Sequence, residues 1–311
     1  MSESSFSYFK DQIHHCSLCP RMCGIDRTVQ RGFCQAPDGA VAARAALHFW
    51  EEPCISGKNG SGTVFFSGCT LRCCFCQNYK ISRDLYGKPL TTRELADAFL
   101  RLQEQGANNI SLVTATHFLP WIVPALDLVK TQLHIPVVYN CGGYERAETV
   151  KALKDYVDIW LPDLKYESSE LSARYSQAPF YFQTAAKAIQ QMICQTGTPK
   201  FCSRDGEPDP VMERGVIIRH LVLPGQKEDS IRLMHWIAEN LPKDSFYISL
   251  MSQYTPYEKN AAFPELNRRI TSYEYQKVVD AALDLGLTQG FMQEKSSAKE
   301  EYTPAFDLEG L

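Results

Sequence analysis

Residues 63–76 read Thr-Val-Phe-Phe-Ser-Gly-Cys-Thr-Leu-Arg-Cys-Cys-Phe-Cys. The first four, Thr63–Phe66, form a buried-type β-strand entered through the turn residues Gly60-Ser61-Gly62. The loop after that strand carries Cys69, Cys73 and Cys76 at the spacing C-x3-C-x2-C. A cubane [4Fe–4S] cluster is normally held by four thiolates. Three leave one iron open, able to bind a small molecule and pass it an electron. The competing readings are weaker. A zinc knuckle calls for four closed ligands, usually in C-x2-C pairs, and disulfides need an oxidising compartment.

Beyond the loop, short apolar runs alternate with amphipathic stretches. Further strands are expected at Ile110–Val113, Val137–Tyr139, Val157–Leu161, Val216–Val222 and Phe246–Leu250. A helix over Thr91–Gly106 has Leu95, Ala98, Phe99 and Leu102 at helical spacing, a Thr91/Glu94 capping box and Gly106 as its stop. Other helices fall near Trp121–Gln132, Ala147–Lys154, Phe182–Cys194, Ser230–Asn240 and Tyr273–Leu285, the last with a Thr271/Glu274 capping box. Strands alternating with helices imply an α/β fold with a parallel sheet and right-handed crossovers. The Pro-, Gly- and charge-rich segment Thr196–Arg214 reads as a long, mobile surface loop. Three units are expected: a Cys-rich N-terminal module (1–60), the α/β domain (61–292) and a weakly ordered C-terminal tail (293–311).

Composition narrows the function classes. The 311 residues are 44% hydrophobic and 22% charged with net charge −4, ordinary for a globular protein. Lys and Arg are dispersed, so neither nucleic acid nor a membrane surface is an expected partner. No run approaches the ~18–20 apolar residues of a spanning helix, and the N-terminus does not read as a signal peptide. A cytoplasmic location is expected, where the twelve cysteines are read first as metal ligands.

Cys69, Cys73, Phe75 and Cys76 resemble the C-x3-C-x-aromatic-C signature of the radical S-adenosylmethionine (SAM) superfamily. The resemblance implies a partial (βα)6 TIM-like barrel. It also implies a [4Fe–4S] cluster whose open iron chelates SAM, reductive cleavage of SAM to a 5′-deoxyadenosyl radical, and adenine contacts beside Phe75. An external electron donor such as flavodoxin or ferredoxin is implied as a partner. A parallel barrel places chemistry at the C-terminal strand ends, where the cysteine loop lies. With Ala42–Pro53, Ser56-Gly57 and Ile218–Gly225, the chain from Cys16 to about Phe291 resembles the group named pyruvate formate-lyase activating enzymes with an N-terminal Cys module. Such activases abstract hydrogen from a backbone glycine of a protein partner.

The later strand ends supply the remaining site candidates. Thr114 and Thr116 stand where activases often carry Gly-Gly-Glu for the methionyl amine; those glycines are missing here. His117 reads as a satisfied helix-start residue. Asn140 resembles the polar residue that contacts the SAM ribose in relatives. Gly142 and Gly143 allow close backbone approach to a ligand. Asp163 and Lys165 resemble the activases' Asp-x-Lys element, and are the catalytic candidates. Arg219 or His220 faces the interior, since alternate side chains face opposite ways, and the inward cation is a candidate for the SAM carboxylate. Gln253 is a substrate-side candidate, and Cys141 is the spare thiol at a strand end.

A second cysteine group, Cys16, Cys19, Cys23 and Cys34, has the spacing C-x2-C-x3-C-x10-C. It fits a closed zinc site or a second [4Fe–4S] cluster, and the spacing does not choose between them. Two functions follow from different classes. One is a radical SAM oxidoreductase acting on a protein glycine or another substrate. The other is an iron–sulfur or zinc scaffold or electron carrier without SAM cleavage, for which a loop of three thiolates is poorly suited.

Overall fold

The computed structural model describes residues 3–256, 261–293 and 304–311. Its strands are β1 (Ala40–His48), β2 (Ser61–Phe66), β3 (Lys88–Leu90), β4 (Ile110–Val113), β5 (Val137–Cys141), β6 (Ile159–Pro162), β7 (Lys200–Cys202), β8 (Val211–Leu221), β9 (Tyr247–Met251) and β10 (Gly290–Met292). The helices are α1 (Glu3–Asp11), α2 (Pro53–Ser56), α3 (Tyr79–Ser82), α4 (Thr92–Glu104), α5 (Leu119–Val129), α6 (Ala147–Ala152), α7 (Ser169–Ser176), α8 (Tyr181–Thr196), α9 (Lys227–Asn240) and α10 (Ser272–Asp284).

The six strands expected from the sequence are all present and parallel, in the spatial order β2-β4-β5-β6-β8-β9, and β10 extends the row. On the other side of β2, β1 runs antiparallel and β3 pairs with β1. The sheet ends at β10 and β3 without joining, so it is an α/β partial barrel rather than a closed one. The parallel strands are apolar because both faces are covered. Every residue of β2, β4, β5 and β6 is buried. Large rings such as Phe66, Phe118, Tyr139 and Trp160 are fully enclosed, each stabilising the fold by about 1.5–3 kcal/mol.

The helices start where their caps require. Thr91 and Glu94 form a reciprocal capping box on α4, and Thr271 and Glu274 form one on α10. Glu274 also accepts both Arg268 guanidinium nitrogens, at 2.7 and 2.8 Å, and the Gly225 amide at 2.7 Å.

The antiparallel course of β1 decides what closes the barrel from below. Its end, His48, lies opposite Ser61 at the start of β2. The chain then turns under the N-terminal ends of the parallel strands. There Cys54 and Ile55 of α2 pack with Val138, Ile159, Leu161 and Ile217 from β5, β6 and β8. Asn108 and Asn109, just before β4, donate to the carbonyls of Ser56 and Ile55 at 2.9 and 2.8 Å. Residues 51–56 are thus the barrel floor.

Two stretches depart from expectation. The segment 196–214 is not a free loop: β7 pairs antiparallel with β8, and the Glu207 carboxylate accepts the amides of Lys58 and Asn59 at 2.6 and 2.8 Å. Hydrogen bonds to the N-terminal half of the chain thus offset the entropy its Gly and Pro residues suggest. The expected loose tail falls partly on 294–303, outside the described residues. Residues 304–311 lie along β1, with Leu308 N donating to Ala43 O at 3.0 Å and Ala45 N donating to Glu309 O at 2.9 Å. Phe306 packs edge-on against Phe65 at 5.7 Å.

Arg268 leads the causes that hold the Glu274 carboxyl well below its usual range. A carboxylate with a depressed folded-state pKa stabilises above its unfolded value and loses that contribution as pH falls through the folded one. Glu274→Ala should therefore cost about 2 kcal/mol at pH 7, in line with cap loss plus charged hydrogen bonds. Denaturant unfolding should show the difference between variant and wild type narrowing below about pH 4, the unperturbed carboxylate range.

Candidate active site

The cysteine loop is shaped before any ligand enters. Gly68, directly after β2, takes φ +86°, and a Cβ there would lie 2.8 Å from Cys34 O. The loop is then tied to the last turn of α7: Arg72 N donates to Ser176 O at 3.0 Å and Cys74 N to Tyr175 O at 2.8 Å. Arg83 donates to Cys73 O at 2.9 Å. Sulfur receives donors as well. Leu71 N points at Cys69 Sγ (3.4 Å), Ser176 Oγ donates to Cys73 Sγ (3.0 Å), and Cys76 Sγ sits 3.4 Å from Ser82 Oγ. Burial pushes the Cys69 thiol up to about 12 and raises Cys73 too. A metal bound here would have to displace those protons, and the donors at Cys69 and Cys73 favour the deprotonated form.

Cys69, Cys73 and Cys76 line one cavity of ≈ 330 Å³. Phe75, Thr114, Asn140, Gly142, Asp163, Lys165, Arg219, Cys141 and Gln253, all candidates from the sequence, line it too. The cavity therefore runs from the cysteine loop to the floor. Phe75 leans on Tyr254 with ring centroids 6.1 Å apart. Thr114 adopts φ +58°, unusual for a β-branched residue, and its amide donates to Asn140 O at 2.9 Å.

One charged network organises the interior. Arg219 Nε donates to Asp163 Oδ1 (3.1 Å), Nη1 to Glu51 Oε2 (3.2 Å) and Nη2 to Asn140 Oδ1 (2.6 Å). Asn140 Nδ2 donates back to Glu51 Oε1 at 3.0 Å, and Lys165 Nζ donates to Asp163 Oδ2. Burial works against the Asp163 carboxylate, but Lys165 and Arg219 outweigh it and hold it below its ordinary range. Burial likewise opposes the Lys165 ammonium, and Asp163 outweighs it. Glu51 is different: burial raises it more than Arg219 lowers it.

Two candidates lie elsewhere. His220, on the opposite face of β8 from Arg219, is buried against α9, with Nδ1 2.6 Å from Leu164 O and Nε2 2.8 Å from Ser230 Oγ. The inward cation is Arg219. Gly143 lies behind the cavity wall at φ +77°, where a Cβ would sit 2.0 Å from Asp163 O; it serves the turn's packing. Sequence reasoning missed Glu51, Glu52 and Tyr181. Tyr181 Oη donates toward Gly142 O and Asp163 O, both at 2.8 Å, and accepts from Lys165 N at 3.1 Å. The signal for the first two was an acidic pair inside an otherwise apolar stretch; α8 gave none for Tyr181.

Cys16, Cys19, Cys23 and Cys34 line a second, small cavity with Arg27 and His117. Arg27 is buried and donates to His117 O and to Pro37 O. His117 Nε2 lies 2.7 Å from Ser67 O, its Nδ1 has no partner among the described residues, and burial pushes its pKa down to about 3, so the ring is neutral. Arg21 stacks on Phe33 at 3.6 Å and donates to Thr70 O at 3.1 Å, tying this module to the Cys69 loop. Among the described residues, no three Cys, His, Asp or Glu side chains converge as single-ion ligands would.

Residues 63–191 match the Radical SAM superfamily model. An uncharacterized protein of Methanocaldococcus jannaschii is 28% identical over 283 residues, 88% of this chain and 75% of its own length. A domain of a pyruvate-formate lyase-activating enzyme from Bacteroides vulgatus aligns at 16% identity and TM-score 0.39, over 55% of this chain and 89% of that one. Streptococcus suis SuiB bound to a precursor peptide aligns at 12% identity and TM-score 0.47, over 73% of this chain and 46% of that one.

Removing the shared cation should be costly, because it strands Glu51 and Asp163 inside the barrel. Arg219→Met is expected to lose about 3–5 kcal/mol in urea unfolding, and Arg219→Lys to recover only part of it, since a single ammonium cannot span the three partners.

Proposed function

We propose, for a chain whose residues 63–191 form a radical SAM domain, that the cavity under the cysteine loop binds a [4Fe–4S] cluster and SAM and uses them to abstract hydrogen from a substrate. The observation that carries this is the meeting of Cys69, Cys73 and Cys76, each with a hydrogen-bonding group at its sulfur, with the Asn140–Arg219–Asp163–Lys165 network in one cavity. The residues fit the cofactor: three thiols for a cluster and, beside them, cations and amides for an amino-acid nucleoside. When bound, cluster and SAM supply one-electron reductive cleavage to a 5′-deoxyadenosyl radical, with the electron coming from an external donor such as flavodoxin or ferredoxin.

The chain's own residues divide the work. Phe75 and the backbone near it form the wall beside the thiols. Arg219 is held by Glu51, Asp163 and Asn140, so its first task is to position the site. Lys165 has Asp163 as its ion-pair partner and two further N–H donors, so it is the cation available to a ligand carboxylate. Thr114 and Asn140 border the region expected for the ribose. Tyr181 locks the Gly142 and Asp163 backbones together, which keeps Asp163 and Lys165 aimed inward. The hydrogen donor is a protein glycine, as the activase resemblance suggests, or another substrate reaching the same cavity.

The Cys16–Cys34 module is read as a second [4Fe–4S] site. Its four thiols line one cavity and would suffice to close a cubane cluster, with zinc the alternative that the same four would close. Buried Arg27 stands close by to balance the negative charge of four thiolates.

Anaerobic reconstitution with iron and sulfide, then SAM and dithionite, should yield 5′-deoxyadenosine. A verified cluster without that product would turn the reading toward an electron carrier. Cys73→Ala should lose the loop cluster and the product together. For the module, Cys16→Ser/Cys34→Ser should lower bound iron from about eight to about four per chain. Loss of one zinc with iron unchanged would refute the second cluster.

A further inference from the structure

The floor of the cavity holds a carboxylate that the fold does not use. Glu52 occupies the N-cap position of α2 but makes no side-chain cap. The residue lines the cavity floor instead. The residue is 8% exposed, and Oε2 has no hydrogen-bond partner among the described residues. Ser249, inside β9, lines the cavity beside it. A buried, unpartnered carboxylate oxygen is costly unless something completes it.

Charge on the floor points the same way. Glu51, Glu52 and Asp163 face only Arg219 and Lys165. Arg219 already serves Glu51 and Asp163, and Lys165 serves Asp163. Three acidic groups thus face two cations, and burial pushes the Glu51 and Glu52 carboxyls above their usual range, so the floor lacks a cation for Glu52. The wall also carries aromatic residues. Trp50, Phe65 and Phe291 line the same cavity, and aromatic faces attract ammonium groups. His48, also in the lining, is held down to about 4 by burial and by Arg44, so it brings no competing positive charge.

We propose that Glu52 is the recognition site for a substrate ammonium group, and that the compound acted on in this cavity is a small alkylamine or amino acid whose ammonium sits on the floor. The assignment rests on the radical SAM reading only for what happens to that compound; binding is independent of it. An ammonium on Glu52 supplies the missing donor to Oε2 and balances the floor's charge. The rest of the molecule then extends upward, toward the thiols. Glu51, being spent on Arg219 and Asn140, orients the floor and does not bind.

The test is calorimetric titration of the anaerobically reconstituted protein with n-butylammonium, n-butanol and butyrate. Saturable binding of the ammonium alone is expected. Glu52→Gln, which keeps size and one acceptor, should weaken it about tenfold, the scale of a lost charge-assisted hydrogen bond. Glu104→Gln, on the exposed end of α4, should leave it unchanged. Trp50→Leu alters a half-exposed position (52%) and so guards against a folding artefact at the buried floor; it should weaken binding several-fold. Butanol binding as tightly as butylammonium, no ammonium binding at all, or Glu52→Gln or Trp50→Leu binding like wild type would overturn the assignment. The same samples, assayed for 5′-deoxyadenosine, separate the two claims: product without ammonium selectivity refutes the floor site, and selectivity without product refutes the radical chemistry.

Discussion

Arg219 is the group on which the interior depends. Its guanidinium spans Glu51 from the floor segment, Asn140 from the end of β5 and Asp163 just past β6. Three parts of the barrel distant in sequence are held at fixed separation by one planar, always-charged fork. The arrangement costs desolvation, and the Coulombic return in a buried site offsets it only when every partner is in place. That condition explains why so many side chains of the cavity are bonded to one another rather than left free.

The cysteine loop is positioned by a different means. Its backbone is held on one side by α7 and on the other by the N-terminal Cys module, through Arg21 on Thr70 and the close approach of Gly68 to Cys34. The module in turn is docked on α6, where Thr149 and Arg146 donate to the carbonyls of Leu18 and Ser17. Module and loop are therefore one packed unit, and a shift at Cys34 has a short physical route to Cys69.

Much of this was legible in the chain. Apolar runs bounded by turns gave the parallel strands, because strands covered on both faces have few alternatives in composition. The cysteine loop was readable from its spacing, since three cysteines within eight residues need no tertiary information. Caps at Thr91 and Thr271 were readable for the same local reason. Arg219 against His220 could be narrowed to one of two but not chosen, because alternation says that they face apart and not which is inside. Glu51 and Glu52 were read only as part of a family-like run. Their role depends on β1 running antiparallel and carrying them under the barrel, a long-range fact that no local pattern encodes. The segment 196–214 misled because its composition is that of a loop, while its order comes from Glu207 bonding to residues some 150 positions earlier.

The return of residues 304–311 along β1 has a consequence for colloidal behaviour. β3 covers β1 only from Ala40 to Ala42, so the next residues of β1 would otherwise present unpaired amides and carbonyls to solvent. An exposed strand edge of that kind is a template onto which another molecule can add a strand. Leu308 and Glu309 take those positions with the chain's own backbone, and Arg44 clamps the arrangement through Asp307 and Glu309. The same few residues that finish the fold therefore make the sheet self-limiting, blocking edge-to-edge aggregation at this stretch of β1.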